Sequence, residues 1–470
     1  MKYHFIGIGG ISMSGLAQLL LAMGNEVTGC DIKKIQVASQ HDSRQASGKI
    51  KFFQGHSENH ITKDLDGVIV TAAALHDKSP AKEEIKKAEK LDIPIIKRSE
   101  MIGKLMGKPG VTGIAVSGMH GKTTVSTMIS LILEAAGFDP TCLIGSDVKE
   151  WQTNWRLGKT YKISLGKNTS EVKETPHLGG VEDCYFVAEA CEYERQMLDF
   201  RPKILVITNL EAEHLDTYPG GIKDIRQTFG RFIRKLPKDG LLVVWREDQN
   251  LMRIAQIAKK RGNTVREVSM KKIWPGLKLK VPGKYNLLDA TFAARVCHEL
   301  GVSSKTIQKT LNNFTGSSRR FEIKGEINHI TVVDDYGHHP TEIKATIEAA
   351  KEYQISKIKY QKSKLIVVFQ PHQYTRTKLL FKDFVTAFKG VDKLIITDIY
   401  LISGREPAEA RADFSRELVN EIKNQGIDTE YAPTYQDAKL MLKKIAMPGD
   451  VIITQGATDI YKVGEDFLKK

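Results

Sequence analysis

The sequence predicts an α/β protein of three domains built on mainly parallel sheets. The chain is 470 residues long, enough for about three domains at roughly 100–200 residues each. It divides into three segments, each opening on an apolar strand-like run and continuing in alternating strand and helix patterns, as βαβ construction requires. In the first two segments a glycine-rich turn joins the opening strand to a helix, and that end of a parallel sheet is where ligands bind.

The first segment spans residues 1–108, with strand-like runs at 5–8, 26–30 and 68–71 and a closing helix over 99–106. Its opening turn, Gly7-Ile8-Gly9-Gly10-Ile11-Ser12, has the spacing of a dinucleotide fingerprint with serine in the third glycine position, and Asp31 follows the next strand. Gly7, Gly9, Gly10, Ser12 and Asp31 are therefore candidate ligand contacts. NAD and a ribose-linked diphosphate such as UDP satisfy the same geometry. Gly107-Lys108-Pro109-Gly110 reads as a linker, because Pro and Gly both interrupt regular structure.

The second segment, 109–316, carries the strongest motif. Gly118-Met119-His120-Gly121-Lys122-Thr123-Thr124 stands between a strand at 114–116 and an apolar-periodic helix over 125–136. Backbone N–H groups of such a loop and the helix N-terminus cradle phosphate oxygens. The Lys122 ammonium neutralises them, and the Thr123 hydroxyl is a candidate Mg²⁺ ligand. The motif is shorter than the full Walker pattern, since Val116 stands where the leading glycine would be. Two later strands end in further candidates: Glu189, positioned to bind Mg²⁺ with Thr123, and His214, able to hold a second cation. The polar stretch 146–183 carries no assignable period. The third segment, 317–470, has strand-like runs at 331–333, 365–369, 393–397 and 451–454.

Composition narrows the function classes. Hydrophobic residues make up 41% and charged residues 27%, ordinary for globular domains. No apolar run approaches the roughly 20 residues of a membrane helix, and Met1-Lys2-Tyr3-His4 leads directly into a strand without a signal-peptide pattern. The expectation is a cytoplasmic protein with no membrane insertion. The five cysteines, Cys30, Cys142, Cys184, Cys191 and Cys297, are widely spaced and form no Cys-x-x-Cys pair, so buried reduced thiols are expected. The net charge of +14 is spread along the chain and interleaved with acids. That pattern suits anionic small-molecule sites and no nucleic acid.

The whole set of motifs resembles the Mur ligase family. It comprises His4-Phe5-Ile6-Gly7-Ile8-Gly9-Gly10, the Gly118–Thr124 loop, Glu189-Ala190-Cys191-Glu192-Tyr193 and Thr208-Asn209-Leu210-Glu211-Ala212-Glu213-His214. It continues in Gly283-Lys284-Tyr285-Asn286, Arg319-Arg320-Phe321-Glu322, Asp334-Asp335-Tyr336-Gly337-His338-His339-Pro340-Thr341-Glu342 and Phe369-Gln370-Pro371-His372-Gln373-Tyr374-Thr375-Arg376-Thr377. The form and order are most similar to the alanine-adding branch. The resemblance implies a Rossmann-like N-terminal domain for a UDP-sugar, a central P-loop ATPase domain, and a Rossmann-like C-terminal domain that closes over ATP and the amino acid. It implies ATP and Mg²⁺ as cofactors, UDP-N-acetylmuramate and L-alanine as substrates, and a monomer or weak homodimer. By the same resemblance Gly118, Gly121, Lys122, Thr123 and Thr124 serve the phosphates, and Thr123, Glu189 and His214 the metal. Asn286 lies near the adenine, and Arg320 and Asp335 meet ATP at phosphate and ribose. His338, His372 and Arg376 line the amino-acid end.

The implied chemistry is physically coherent. A carboxylate is a poor electrophile; phosphorylating it from ATP turns the oxygen to be expelled into phosphate, which an amine then displaces. His338 and His372 are both candidates to take the amine proton or to orient the amine. Several positions depart from the family pattern: Ala72, Ala73 and Ala74 stand where serines are common, Gln373 where arginine is common, and Asp289 where asparagine is common. Lys159 to Gly180 reads as an inserted polar loop. A murein-peptide or other amino-acid ligase of the same family and a non-catalytic nucleotide-dependent binding protein are the alternative readings.

Overall fold

The computed structural model describes residues 1–32, 48–76, 79–164, 184–356, 363–401 and 411–469. It contains three sheets. The first holds β1 (Lys2–Ile6), β2 (Glu26–Asp31), β3 (Lys51–Gln54), β4 (Gly67–Val70) and β5 (Ile95–Lys97), in the order β3-β2-β1-β4-β5 with every pair parallel. Strands covered on both faces read as unbroken apolar runs, as Gly67-Val68-Ile69-Val70 does, all four residues being buried. The strand order reverses between β1 and β4, which opens a crevice at their carboxyl ends beside the Gly7 turn.

The second sheet holds β6 (Val111–Ser117), β7 (Thr141–Val148), β8 (Thr153–Arg156), β9 (Cys184–Glu189), β10 (Ile204–Ile207), β11 (Leu241–Trp245) and β12 (Thr264–Val268). The order is β12-β11-β10-β6-β9-β7-β8, and only the β7–β8 pair is antiparallel. β6 thus lies between β9 and β10, so the chain ends that follow those strands flank the phosphate loop. The polar stretch without a period begins in β7 and continues through β8 and a short helix, Lys159–Ser164; the rest of the Lys159–Gly180 insertion lies outside the described residues.

The third sheet holds β13 (Glu322–Ile327), β14 (Ile330–Asp335), β15 (Leu365–Phe369), β16 (Lys393–Ile396), β17 (Thr429–Tyr431) and β18 (Val451–Gln455). Its order is β13-β14-β18-β15-β16-β17, antiparallel only at β13–β14. All three domains expected from the alternating patterns are therefore α/β, and the sheets are mainly parallel.

By contacts the chain forms two compact units, Met1–Lys278 with Leu288–Asn313, and Leu279–Leu287 with Phe314–Lys470. In the first unit the two sheets share one core that runs from Phe5 and Leu16 to Phe186, Phe200 and Phe229. Asn154 and Trp155 of β8 fasten it to the helix Ile11–Ala22: the Asn154 amide donates to the Ile11 carbonyl at 3.1 Å, and the Trp155 indole to Gln18 at 3.1 Å. In the second unit Val332, Ile366, Val368, Ile395 and Ile452 pack against Val463 and Phe467. Among the described residues no helix is long and apolar enough to cross a membrane. All five cysteines are free; four are buried and Cys191 is half-buried.

Candidate active site

The phosphate loop begins where β6 ends. Gly118 has φ +123° and Gly121 φ +81°, backbone states that L side chains adopt only with strain. A Cβ on Gly121 would also come within 2.6 Å of the Asp289 carboxylate, so glycine is required there twice over. Asn209, just past β10, holds the loop from the side: its Oδ1 accepts from the Met119 and His120 N–H groups at 3.2 and 3.1 Å, and its amide donates to the His120 carbonyl at 3.0 Å. Helix Lys122–Ala135 starts at Gly121 with no side-chain cap, so its first N–H groups remain available to an anion.

Lys122 curls into this loop. Its ammonium donates to the Gly118 and Met119 carbonyls at 2.7 and 2.8 Å and pairs with the Glu192 carboxylate at 3.0 Å. Burial works against the charge of Lys122, yet Glu192 and then Glu189 outweigh it and hold its pKa above the ordinary value. Burial likewise opposes ionisation of Glu192, but Lys122 and then His214 bring its pKa down to about 2. His214, at φ +52°, stands 3.1 Å from the other Glu192 oxygen. Burial lowers the pKa of His214, and Glu192 with Glu213 more than restores it. Thr123 donates to Glu189 at 2.8 Å. Glu192 therefore joins Lys122 to His214, and the Thr123–Glu189 pair is a second contact at the start of the same helix.

The N-terminal glycine turn is self-braced. Gly7 has φ +78°; the Gly7 and Ile8 N–H groups donate to the Cys30 carbonyl at 2.9 and 3.1 Å, and Gly9 donates to the Asp31 carboxylate at 3.0 Å. Asp31 thus supports the turn from the neighbouring strand. Gly10 caps the following helix with its backbone alone, and Ser12 lies in that helix's first turn. A cleft of about 640 Å³ in the same unit is lined by Ala72, Leu75, Lys97, Arg195, Arg231 and Lys235, among others. Ala72–Leu75 form a short turn at the carboxyl end of β4, capped by the Thr71 hydroxyl.

In the second unit the candidates gather where β14 and β15 end. Arg319 and Phe321, at φ +58° and +44°, flank Arg320 and set its direction. The Arg320 guanidinium pairs with Glu342 at 3.2 Å and lies 5.3 Å over the Tyr336 ring. Asp335 accepts from the Phe321 and Gly337 N–H groups, both at 2.8 Å. Burial still dominates and raises its pKa to about 6, with Arg320 offsetting part of the effect. His338 and His372 rings lie 5.8 Å apart. His338 Nδ1 sits 3.1 Å from the Tyr336 carbonyl, so it carries the proton, whereas His372 Nδ1 accepts from Arg376 at 2.9 Å. Burial and then Arg376 lower both pKa values, to about 4 for His372 and well below the ordinary value for His338. Asn286 stands apart from this group: its amide donates to the Pro282 carbonyl at 2.6 Å, and the adjacent Gly283 N–H donates to Glu352 on helix Pro340–Ser356 at 3.2 Å.

Neutral imidazoles at pH 7 follow from that geometry. We expect Arg376→Ala to move the His372 pKa upward toward the usual value near 6.5, because the guanidinium is the second of its two depressing causes. Imidazole NMR titration of the two proteins reads the shift; an unchanged pKa would refute the role given to Arg376.

Comparison with known proteins agrees with this geometry along the chain. Residues 2–108 match the Mur ligase family catalytic domain, 116–280 the Mur ligase middle domain and 319–458 the Mur ligase glutamate ligase domain. The UDP-N-acetylmuramate–L-alanine ligase of Acetivibrio thermocellus is 40% identical across 99% of this chain and 95% of its own length. The chain belongs to the Mur ligase family. The enzyme of the same name from Geobacter sulfurreducens is 38% identical across 100% of this chain and 97% of its own. The crystal structure of UDP-N-acetylmuramate-alanine ligase MurC from Thermotoga maritima superposes on this Mur ligase with TM-score 0.74 at 25% identity, covering 100% and 98% of the two chains. A murein peptide ligase from Psychrobacter arcticus shares the fold, with TM-score 0.68 at 21% identity over 100% and 98%.

Two groups in this Mur ligase escape motif reading as site residues. Glu192 was visible only as a neighbour of Glu189, yet it joins Lys122 to His214. Arg319 donates to Asp334 at 2.8 Å and to the Gly456 carbonyl at 2.8 Å, fixing the backbone next to Arg320. The doubled acid in Glu189-Ala190-Cys191-Glu192 and the doubled arginine were the available signals.

Proposed function

We propose that this Mur ligase is a cytoplasmic, ATP- and Mg²⁺-dependent enzyme that joins L-alanine to the carboxylate of UDP-N-acetylmuramate in peptidoglycan precursor synthesis. The observation that carries the proposal is the buried Lys122–Glu192–His214 network beside the Thr123–Glu189 pair, in a chain whose full-length relatives bear that enzyme's name. Residues 1–108 take the UDP-sugar, 109–316 the ATP and 317–470 the ligase partner groups. The turn of Gly7, Gly9, Gly10, Ser12 and Asp31 receives the UDP moiety. The cations lining the nearby cleft, Lys97, Arg195, Arg231 and Lys235, suit an anionic substrate.

In the proposed reaction a carboxylate oxygen of the sugar attacks the γ-phosphorus, and the bond to the ADP oxygen breaks. Gly118, Gly121, Lys122, Thr123 and Thr124 hold the phosphates, and Arg320 stabilises charge spreading over the transferred group. Thr123, Glu189 and His214 offer the hydroxyl, carboxylate and imidazole donors that fit Mg²⁺ and a second cation, whose chemistry is to screen the like charges of ATP and the nucleophile. Asp335 and Asn286 serve the ribose and the adenine. The alanine amine then adds to the acyl phosphate, and phosphate leaves as the amide forms. His372 and Arg376 orient the amino acid. His338 takes the amine proton, since its Nδ1 already bears a proton toward Tyr336 and leaves Nε2 as the basic atom.

Phosphate release from Mg-ATP with UDP-N-acetylmuramate tests the reading, with L-alanine, L-serine, glycine and a tripeptide compared as acceptors. L-Alanine should give the highest kcat/KM. Preference for the tripeptide would reassign the enzyme to peptide ligation, and no release with any acceptor would make it a binding protein.

A further inference from the structure

A second cluster of ligand-type side chains lies in the N-terminal sheet, apart from the proposed catalytic groups. His4 comes from β1, Cys30 from β2, His60 from the short turn Glu58–His60, and Glu84 from helix Lys82–Lys90. One donor atom of each lies within 4.8 Å of all the others. The side chains of His4 and Glu84 are fully buried, as is Cys30, and His60 is 11% exposed. Glu84 is the hub: one of its oxygens lies 2.7 Å from His60 Nδ1, 3.2 Å from the Cys30 sulfur and 3.9 Å from His4 Nε2. We propose that His4, Cys30, His60 and Glu84 bind one divalent transition-metal ion of the zinc class.

Two features separate this cluster from an ordinary buried hydrogen-bond network. His4 Nε2 is completely buried and, among the described residues, has no hydrogen-bond partner, an arrangement that costs free energy while it is left unsatisfied. Its other nitrogen lies 2.7 Å from the Thr28 hydroxyl, and a proton donated there leaves the Nε2 lone pair facing Glu84 across a gap too long for a hydrogen bond. Donors bonded to zinc at about 2.0–2.3 Å in a tetrahedron stand roughly 3.3–3.8 Å apart, close to the 3.9 and 3.2 Å that separate His4 Nε2 and the Cys30 sulfur from the Glu84 oxygen. The second feature is the outer shell. His56 Nδ1 holds the remaining Glu84 oxygen at 2.8 Å, and Phe53 stacks on the His60 ring at 4.4 Å, so both ligands are oriented from behind.

The donor set of two imidazoles, a thiolate and a carboxylate suits zinc, and four protein ligands without an open position make a structural site rather than a catalytic one. On binding, the metal–sulfur bond forms and the Cys30 thiol proton leaves to solvent. The ion would join β1, β2 and helix Lys82–Lys90 at Cys30, whose carbonyl accepts from Gly7 and Ile8. It therefore pins the base of the glycine turn.

The test uses the full chain stripped by chelator and titrated with Co²⁺. The expected result is one tightly bound equivalent with intense visible bands of a tetrahedral ion and a sulfur-to-cobalt charge-transfer band in the near ultraviolet, bleached by Zn²⁺. Cys30→Ser should abolish the charge-transfer band, whereas Cys191→Ser, at the half-buried thiol, should keep it. His56→Ala should keep the band and weaken the affinity about 10–100-fold. A wild-type cobalt spectrum without a sulfur band would overturn the proposal even if Cys30→Ser failed to fold, and so would a band that survives Cys30→Ser.

Discussion

Lys122→Ala is expected to lower phosphate release by about 10²–10³-fold, the usual cost of removing one positioned group that stabilises transferring charge. Binding of UDP-N-acetylmuramate, measured by calorimetry, should be unchanged, because the glycine turn that would receive it is braced by Cys30 and Asp31 and makes no use of Lys122. The substitution has a second consequence. Glu192 is 3% exposed and pairs with Lys122 at 3.0 Å, so truncating the lysine leaves a buried carboxylate short of its cation, at a cost of about 3–5 kcal/mol. Lost turnover could then reflect lost folding. The double variant Lys122→Met/Glu192→Gln separates the two effects, since it removes both charges together. It should recover much of the stability and none of the turnover. If the double variant regained activity to within about tenfold of the wild type, equivalent to about 1.4 kcal/mol of barrier, Lys122 would be a folding element and not a phosphate ligand.

How much of this was legible beforehand depended on sequence distance. The loop at Gly118–Thr124 could be read because strand, turn and helix are contiguous, so apolar period and glycine spacing appear within a short window. The run Asp334–Glu342 was legible for the same reason: Asp335 and Gly337 bond each other across two residues. The roles of Glu192 and Asn209 were not, because each acts on the loop from a neighbouring strand end, and β9 and β10 reach β6 only once the sheet has formed. The same holds for Glu84. It sits in a helix segment, Lys82-Glu83-Glu84-Ile85-Lys86-Lys87, that reads as a solvated charged face, yet its side chain is fully buried against His56 and His60. Glu83 and Glu84 stand only about 100° apart on a helix, and nothing in the local sequence says which acid faces inward. Similarly, Leu279–Leu287 groups by contact with the second unit although residues on both sides belong to the first. Its Gly283 and Lys284 are held by Glu352 and Glu348, more than sixty positions onward.

Glu192→Gln should lower the stability of the first unit, and its pH dependence identifies the cause. The folded-state pKa of about 2 lies below the ordinary 4.5, so folding favours the ionised form of Glu192. That contribution, of order 3 kcal/mol for a displacement of this size, is fully present above pH 4.5 and disappears as pH falls through 2. Other carboxylates titrate in the same window, so the informative quantity is the difference between wild type and variant at each pH. All four tryptophans, Trp151, Trp155, Trp245 and Trp274, lie in the first unit, and their fluorescence follows its unfolding in urea without contribution from the second. The stability gap should be constant from pH 7 to about 5 and close progressively toward pH 2. A gap that stayed constant over the whole range would mean that the amide disrupts packing rather than charge pairing. In that case Lys122 would be held by the Gly118 and Met119 carbonyls, and Glu192 would have no part in keeping the ammonium charged inside the loop.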